Sequence, residues 1–124
     1  MPKRILVLED DPYVADTLKL QLAAHGFEVD TASDGLDGLN RARDTTPDLI
    51  LLDVVLPKLD GYHVCRLLKF DRRYRHIPIF ILTARKRGSD REIGKAVGAD
   101  EYLLKPCDME DLLKRVRQHL GGNG

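Results

Sequence analysis

Several features that mark specialised classes of protein are missing from this sequence. Lys and Arg together number 20 and Asp and Glu also number 20, so the formal net charge is zero. A balanced charge argues against a protein built to coat nucleic acid or an anionic membrane. No apolar run approaches the length that spans a bilayer, and the start at Met1–Arg4 lacks a secretory cleavage pattern. We therefore expect a cytoplasmic protein that binds neither nucleic acid nor membrane directly.

The usual signatures of cofactor and metal proteins are also missing. The two cysteines, Cys65 and Cys107, are far apart, which fits a reduced cytosolic protein better than a disulfide scaffold. The four histidines show no ligand spacing, which argues against a zinc site. The sequence contains no Gly-rich dinucleotide fingerprint and no P-loop. A flavin or dinucleotide would also meet an acidic loop after the first apolar run, which would repel its phosphate.

The chain does contain a central stretch around which the rest is organised. Four apolar residues lie between Asp48 and Asp53, a pattern typical of a strand buried on both faces of a parallel sheet. The length of 124 residues suits one domain, which we place at 1–120, with 121–124 as a flexible tail or the start of a linker.

Short apolar runs alternate with stretches of helical periodicity along the whole chain. The runs predict strands over 5–8, 27–32, 49–52, 79–83 and 101–104. Expected helix starts are Asp11, Asp34, Gly61, Ser89 or Asp90, and Asp108. The residues expected to face the core include Val14, Leu18, Leu22, Leu36, Leu39, Ala42, Val64, Leu67, Leu68, Leu112, Leu113, Val116 and Leu120. This alternation predicts an α/β fold with a parallel sheet and right-handed crossovers.

Polar residues follow the apolar runs and should share the carboxyl edge of that sheet. They are Glu9 and Asp10 after the first strand, Asp53 after the third, Thr83 at the end of the fourth and Lys105 after the fifth. Clustered carboxylates repel unless a cation lies between them, and Mg²⁺ prefers oxygen ligands. A carboxylate can also accept a phosphoryl group, with a metal and a lysine stabilising the charge.

Simpler explanations exist for each of these residues taken alone. Asp53 could be a turn former, Glu9 and Asp10 a helix-capping turn, Thr83 a β-branched strand residue and Lys105 a solvated side chain. An aspartyl-phosphate hydrolase is the competing enzyme class. Haloacid-dehalogenase-like enzymes place a second aspartate two residues after the nucleophile, and Val55 at that position cannot transfer a proton.

The sequence closely resembles the receiver domain of two-component response regulators from Lys3 to about Leu120. The motifs that carry the resemblance are 5–11 (ILVLEDD), 48–53 (DLILLD) with Leu56-Pro57 and Asp60-Gly61, 81–84 (ILTA) and 98–106 (GADEYLLKP). The resemblance implies a doubly wound, flavodoxin-like (βα)5 fold with five parallel strands in the order 2-1-3-4-5.

The resemblance also implies a role for each residue at the sheet edge. Asp53 would be the phosphoacceptor, and Glu9, Asp10, Asp53 and the backbone carbonyl of Val55 would bind Mg²⁺. Thr83 and Lys105 would hold the phosphoryl group, Tyr102 would be the switch aromatic, and the bond before Pro106 would be cis. The donor would be a phosphohistidine on a sensor histidine kinase or phosphotransfer protein. The domain would then be a phospho-switch that assists its own phosphorylation and dephosphorylation, and not an enzyme.

Two residues depart from the common family pattern: Glu9 is at a metal-binding position where both acids occur, and Cys107 touches no active residue. Glu9 stands where many members have aspartate, and Cys107 stands where an aromatic residue is common. The alternative function is a degenerate receiver that acts as a constitutive docking module. The basic stretch 72–76 resembles a nucleic-acid patch but is better explained as a solvated loop. The basic stretch 85–87 follows Thr83, where it could tune phosphate loss or assist kinase docking.

Phosphorylation at Asp53 should act as a charge switch on an output face. Thr83 would move toward the phosphoryl group and Tyr102 would shift inward, which would bias helix four, strand five and helix five toward a partner-binding form. Downstream effectors would bind there, and some family members form homodimers through this face. Candidate pairing residues are Arg91, Asp100, Asp111 and Arg115. Val55 and Arg85 supply no good base for water, so the phosphorylated state should not be especially short-lived.

Overall fold

Strands and helices alternate strictly along the chain in the computed structural model, which describes residues 2–84 and 88–121, with the side chains of 88–91 excluded. The strands are β1 (Arg4–Leu8), β2 (Glu28–Ala32), β3 (Leu49–Leu52), β4 (Ile79–Thr83) and β5 (Glu101–Leu104). The helices are α1 (Pro12–Ala24), α2 (Gly35–Thr45), α3 (Gly61–Lys69), α4 (Gly88–Ala96) and α5 (Met109–His119).

The five strands form one parallel sheet in the order β2-β1-β3-β4-β5, which confirms the predicted fold class and strand order. In this register Leu8 lies opposite both Ala32 and Leu52. The strands β1 and β3 are therefore neighbours and end at the same level. Since all strands are parallel, the residues that follow them lie along one edge of the sheet, where sites of open α/β folds are found.

The sheet is covered by helices on both faces. One apolar cluster joins one face of the sheet to Leu39 and Ala42 of α2, Val64 of α3 and Val97 after α4. The cluster on the other face packs against α1 and α5. Every residue of β3 and β4 is buried, as expected for strands covered on both sides. The apolar runs of the sequence thus form the buried strands of the sheet, and the helices pack their apolar faces against it.

Side-chain caps begin four of the helices where the sequence predicts a start. Asp11 accepts hydrogen bonds from the amides of Tyr13 and Val14, and Asp34 and Asp108 cap α2 and α5 in the same way. Asp60 caps α3 directly before Gly61. The prediction for α4 was wrong: the helix already begins at Gly88, so Ser89 and Asp90 lie inside its first turn. Helix boundaries are the least determined feature of a sequence pattern.

Two leucines expected in the core are instead at the surface, Leu36 with 48% and Leu67 with 44% of their area exposed. The buried face of α2 is formed by Gly35, Gly38, Leu39 and Ala42, because the two glycines let the helix backbone approach the sheet. A Cβ atom at Gly38 would lie 2.2 Å from Cδ2 of Leu8. This close approach rotates Leu36 away from the core, and Leu67 similarly lies beside the buried stripe of α3.

Parts of three predictions lie outside the described residues. These are the basic stretch 85–87, the side chain of Arg91 and the tail residues 122–124. Within 2–84 and 88–121, every helix is too short or too polar to cross a membrane.

Candidate functional site

Three carboxylates meet at the carboxyl edge of the sheet. Glu9 and Asp10 directly follow β1, and Asp53 directly follows the neighbouring β3. One ligand oxygen from each lies within 4.8 Å of the others. The juxtaposition depends on strand order alone, since the two ends would lie far apart if another strand separated β1 from β3. The structure therefore brings together the three acidic residues that the sequence placed at this edge.

Asp53 is held firmly by its backbone and leaves its carboxylate accessible. Its amide donates to the carbonyl of Leu8 over 3.1 Å, which extends the β1–β3 ladder by one residue. Oδ1 accepts a long hydrogen bond of 3.4 Å from the amide of Val55, and the side chain keeps 15% of its area exposed. Gly61 packs so closely that a Cβ atom there would lie 2.1 Å from the carbonyl oxygen of Asp53. A fixed backbone with a reachable oxygen suits a nucleophile.

Glu9 is the buried member of the cluster, with only 4% of its area exposed. Its amide donates to the carbonyl of Ala32, and its Oε2 accepts from the amide of Asp11 over 3.1 Å. Its Oε1 accepts a hydrogen bond from the ammonium of Lys105. Burial raises the pKa of Glu9 above its ordinary value, although the hydrogen bonds from Lys105 and Asp11 oppose that rise. A nearby cation thus favours the ionised form of this buried carboxylate.

Lys105 supplies that cation by bridging two carboxylates. Its Nζ lies 3.1 Å from Oδ2 of Asp53 while it also contacts Glu9. Its backbone amide donates to the carbonyl of Thr83 over 2.8 Å, and the bond to Pro106 is cis. Burial alone would lower the pKa of Lys105, but the hydrogen bond to Glu9 and the charges of both carboxylates raise it overall. Lys105 therefore places a positive charge in contact with both Glu9 and Asp53.

Thr83 and Tyr102 lie on the same face of the sheet, on neighbouring strands. Thr83 ends β4 with 1% of its area exposed, and Tyr102 lies opposite Ile81, two residues earlier on that strand. Alternate residues of a strand point to the same side, so the two side chains share the face that packs on α3 and α4. Tyr102 is half-buried, and a Cβ atom at Gly94 would lie 2.8 Å from its ring. A movement of either side chain would therefore change the packing of the same layer between the sheet and the helices.

The charge and chemistry of this cluster fit a small divalent cation. The donors are carboxylate oxygens, which Mg²⁺ prefers, and three carboxylates exceed the single ammonium of Lys105 by two negative charges. The residues that could hold the ion are Glu9, Asp10 and Asp53, beside the segment that leads to Val55. Val55 is 55% exposed, and its amide donates to Oδ1 of Asp53 over 3.4 Å.

Two features of the structure are not evident from the sequence pattern, one at the site and one at the opposite edge of the sheet. The first is the contact of Gly61 with the Asp53 carbonyl, for which the Asp60-Gly61 motif is the only sequence signal. The second is a lock formed by Lys69, whose Nζ donates to the carbonyls of Arg75 and Ile77 and to Oδ2 of Asp100. Asp100 also accepts from the amide of Ile79 over 2.8 Å. This lock joins the end of α3 to the segments that lead into β4 and β5. No local pattern reveals contacts between residues so distant in sequence.

Three of the four residues proposed for a dimer contact, Asp100, Asp111 and Arg115, are engaged within the chain. Arg115 lies 2.6 Å from Glu101 and 3.2 Å from Asp111, and Asp100 is held by Lys69. His119 also contacts Glu101 at 3.1 Å. A homodimer through α4, β5 and α5 would therefore have to exchange or share these ion pairs.

An apolar groove opens beside Lys105, between α1 and the start of α5. It encloses about 470 Å³ and is lined by Val14, Leu18, Leu82, Pro106, Cys107 and Met109, among others. Tyr13 lies at this groove with 79% of its area exposed. An apolar surface next to a polar site is suited to holding another molecule against that site.

The chain matches a family model and curated proteins over most of its length. A family model described as the response regulator receiver domain matches residues 5–117. The chain is 45% identical over 114 residues to the DNA-binding dual master transcriptional regulator RpaA of Synechocystis, covering 92% of the chain and 47% of that protein. It is 41% identical over 123 residues to the DNA-binding response regulator MtrA of Mycolicibacterium smegmatis, covering 99% of the chain and 53% of that protein. The chain thus spans about half the length of these curated relatives.

Solved structures match over nearly the whole chain. One is the receiver domain of the sensor histidine kinase PA1611 from Pseudomonas aeruginosa, described with a magnesium ion coordinated in the active-site cleft. It has a TM-score of 0.90 and 31% identity and covers 98% of this chain and all of that one. Another is the chemotaxis response regulator CheY4 of Vibrio cholerae, with a TM-score of 0.88, 31% identity and coverage of 97% and 100%.

Proposed function

Because this chain belongs to the response regulator receiver domain family, we propose that it is a phospho-switch that accepts a phosphoryl group on Asp53. Receiver domains take part in two-component signalling as switches and not as classical enzymes. The observation that carries the assignment to Asp53 is the contact of its carboxylate with Lys105 beside two further carboxylates. Of the two cluster carboxylates whose amides extend the sheet ladder, Asp53 with 15% exposed is more accessible than Glu9 with 4%.

The proposed donor is a phosphohistidine on a sensor kinase or a phosphotransfer protein. An oxygen of Asp53 would bond to phosphorus while the phosphorus–nitrogen bond of the donor breaks and the imidazole leaves. Lys105 would donate hydrogen bonds to the transferred group, and the hydroxyl of Thr83 would contact another of its oxygens. Glu9, Asp10, Asp53 and the backbone carbonyl of Val55 would hold Mg²⁺, which when bound neutralises charge on the phosphoryl oxygens. The three clustered carboxylates support this assignment.

The groove between α1 and α5 is the surface that we assign to the donor protein. It adjoins Lys105 and is apolar, so a helix carrying the phosphohistidine would bury its side chains there and reach Asp53. Tyr13, which is largely exposed at this groove, would become buried on docking.

The switch should act through Thr83 and Tyr102 on the face of α4, β5 and α5. The phosphoryl group adds nearly two negative charges beside Thr83, and movement of Thr83 would make room for Tyr102. The shared sheet face of the two residues supports this coupling. Phosphorylated protein should show chemical-shift changes across residues 84–115, and a spectrum that is unchanged there would contradict the switch.

The output of the switch would be an effector domain or protein, as the relatives described as DNA-binding regulators suggest. The receiver itself would not contact DNA. A cytoplasmic location follows from this proposal, since such regulators must reach DNA. A homodimer would form through the face of α4, β5 and α5.

Intact mass after incubation with Mg²⁺ and acetyl phosphate tests the phosphoacceptor. Wild-type protein should gain the mass of one phosphoryl group, and Asp53→Asn should gain none. The label should persist well beyond seconds at neutral pH, because the exposed Val55 offers no base for water. Lack of labelling would favour the alternative, a constitutive docking module, and turnover of many small phosphate esters would indicate an enzyme. Lys19→Met, a change on the exposed side of α1, is a matched control that should label normally.

A further inference from the structure

A basic and apolar surface lies at the sheet edge opposite Asp53. We call it the far-edge patch and define it by Arg43 at the end of α2, Arg66 and Leu67 in the last turn of α3, and Phe70, Arg72 and Arg73 directly after it. Helices that connect parallel strands run back along the sheet, so their carboxyl ends lie away from the carboxyl ends of the strands. The patch is therefore separated from the carboxylate cluster by the length of the domain.

The centre of the patch is apolar and open to solvent. Phe70 has 69% and Leu67 has 44% of its area exposed. Together with the arginines they line a shallow depression of about 580 Å³. Large apolar side chains that are adjacent at the surface, in contrast to scattered ones, are typical of contact sites.

The rim of the patch carries an excess of positive charge. Asp71 holds Arg73 through three contacts: the amide of Arg73 donates to Oδ1 over 2.9 Å, its Nε to Oδ1 over 3.1 Å and its Nη2 to Oδ2 over 2.8 Å. In the described part of the chain, Arg43, Arg66 and Arg72 form no ion pair, and Nε of Arg43 is buried without a hydrogen-bond partner. The guanidinium of Arg66 lies 5.7 Å from the centre of the Phe70 ring. The guanidinium groups of Arg66 and Arg72 are thus left to bind an external anion, and Arg43, whose charge also acts on Asp71, adds to the positive rim.

We propose that the far-edge patch docks an acidic segment of a partner protein that also carries a large apolar side chain. An apolar centre with an arginine rim is the usual anatomy of a protein interface, in which aromatic residues and arginine dominate the binding energy. Carboxylates match the guanidinium groups in pairs, and an apolar side chain of the partner would cover Phe70 and Leu67. A nucleic acid fits less well, because the chain has no net positive charge. The distance from Asp53 makes this docking independent of phosphorylation.

A titration followed by amide chemical shifts tests the proposal directly. The probe is a short synthetic peptide in which glutamate alternates with leucine and phenylalanine, added to the intact chain with and without acetyl phosphate and Mg²⁺. We expect saturable shifts confined to residues 43 and 66–73, with the same affinity in both phosphorylation states. Arg66→Glu combined with Arg72→Glu should weaken binding at least tenfold, and so should Phe70→Ser.

Arg75→Glu is the matched control, because Arg75 is an exposed arginine of the same loop that does not line the depression. It should bind the peptide like the wild type, and circular dichroism should show that all variants are folded. Absence of saturable shifts up to millimolar peptide would overturn the proposal. Equal binding of a lysine version of the peptide, or tighter binding of oligothymidylate at the same residues, would also overturn it. Shifts at these residues that depend on protein concentration alone would assign the patch to a second copy of the chain instead.

Discussion

Replacing Lys105 with methionine should make the stability of the folded protein depend on Mg²⁺ at the carboxylate cluster. Lys105 contacts both Glu9 and Asp53, whose oxygens lie within 4.8 Å of each other, and methionine keeps most of its length without the charge. In the wild type the ammonium of Lys105 offsets the repulsion between these carboxylates, which is about 3.5 kcal/mol for two unit charges at 4.8 Å and an effective dielectric constant of about 20. In the variant this repulsion is no longer offset. The residual exposure of Asp53 allows solvent to screen part of this energy, so we expect a loss of about 2 to 3 kcal/mol.

Urea unfolding followed by circular dichroism, at neutral pH, measures this effect. Lys105→Met should unfold at lower urea than the wild type in the presence of a chelator and regain most of the difference in saturating Mg²⁺. The wild type should gain less from Mg²⁺, because its ammonium already neutralises one carboxylate. Lys19→Met serves as the control and should match the wild type in both conditions. A loss of stability that is the same with and without Mg²⁺ would refute the reasoning, since the repulsion would then not be the cause.

Three further predictions concern the surroundings of the site. Gly61→Ala should lower the free energy of unfolding in urea by about 2 kcal/mol or more, because its Cβ atom would lie 2.1 Å from the Asp53 carbonyl oxygen. Gly94→Ala should lower it less, because its Cβ atom would meet the Tyr102 ring, which can move. Burial would raise the pKa of Asp60, but hydrogen bonds from His63 outweigh it and hold the pKa below its ordinary value. The charge of Asp60 therefore stabilises the fold above the ordinary pKa, and this contribution is lost as the pH falls through the lowered pKa. The stability advantage of wild type over Asp60→Asn should therefore shrink in acid, and an advantage that grows there would contradict this. Burial raises the pKa of the Cys65 thiol to about 12. A thiol reagent at neutral pH should therefore modify Cys107 first and Cys65 only on unfolding. Equal rates of modification at the two cysteines would be inconsistent with the structure.

The fold could be predicted from the sequence because its signals are local. Apolar runs such as 49–52 and 79–83 identify buried strands, and Asp11, Asp34 and Asp108 act as caps through contacts within three residues. The strand order came from the family resemblance and not from the pattern itself. Once it is known, the meeting of Glu9, Asp10 and Asp53 follows, because parallel neighbours end at one edge.

The parts that could not be predicted depend on close approach and on distant pairing. Leu36 fits a helical stripe, yet it is exposed because Gly35 and Gly38 bring the other side of α2 to the sheet. The bridge from Lys105 to Glu9 and the lock of Lys69 on Asp100 join residues far apart in sequence. Hydrophobic periodicity carries no information on such contacts, which are decided by how the packed helices and loops place long side chains.

Chemical trapping of the acyl phosphate tests the central claim most directly. The chain is incubated with Mg²⁺ and acetyl phosphate, reduced with borohydride, which converts an aspartyl phosphate to homoserine, and digested for peptide mass mapping. We predict homoserine at position 53 alone, with none formed when the phosphodonor is omitted. Reduction at position 10, at several acidic positions or at none would contradict the assignment of Asp53 as the phosphoacceptor.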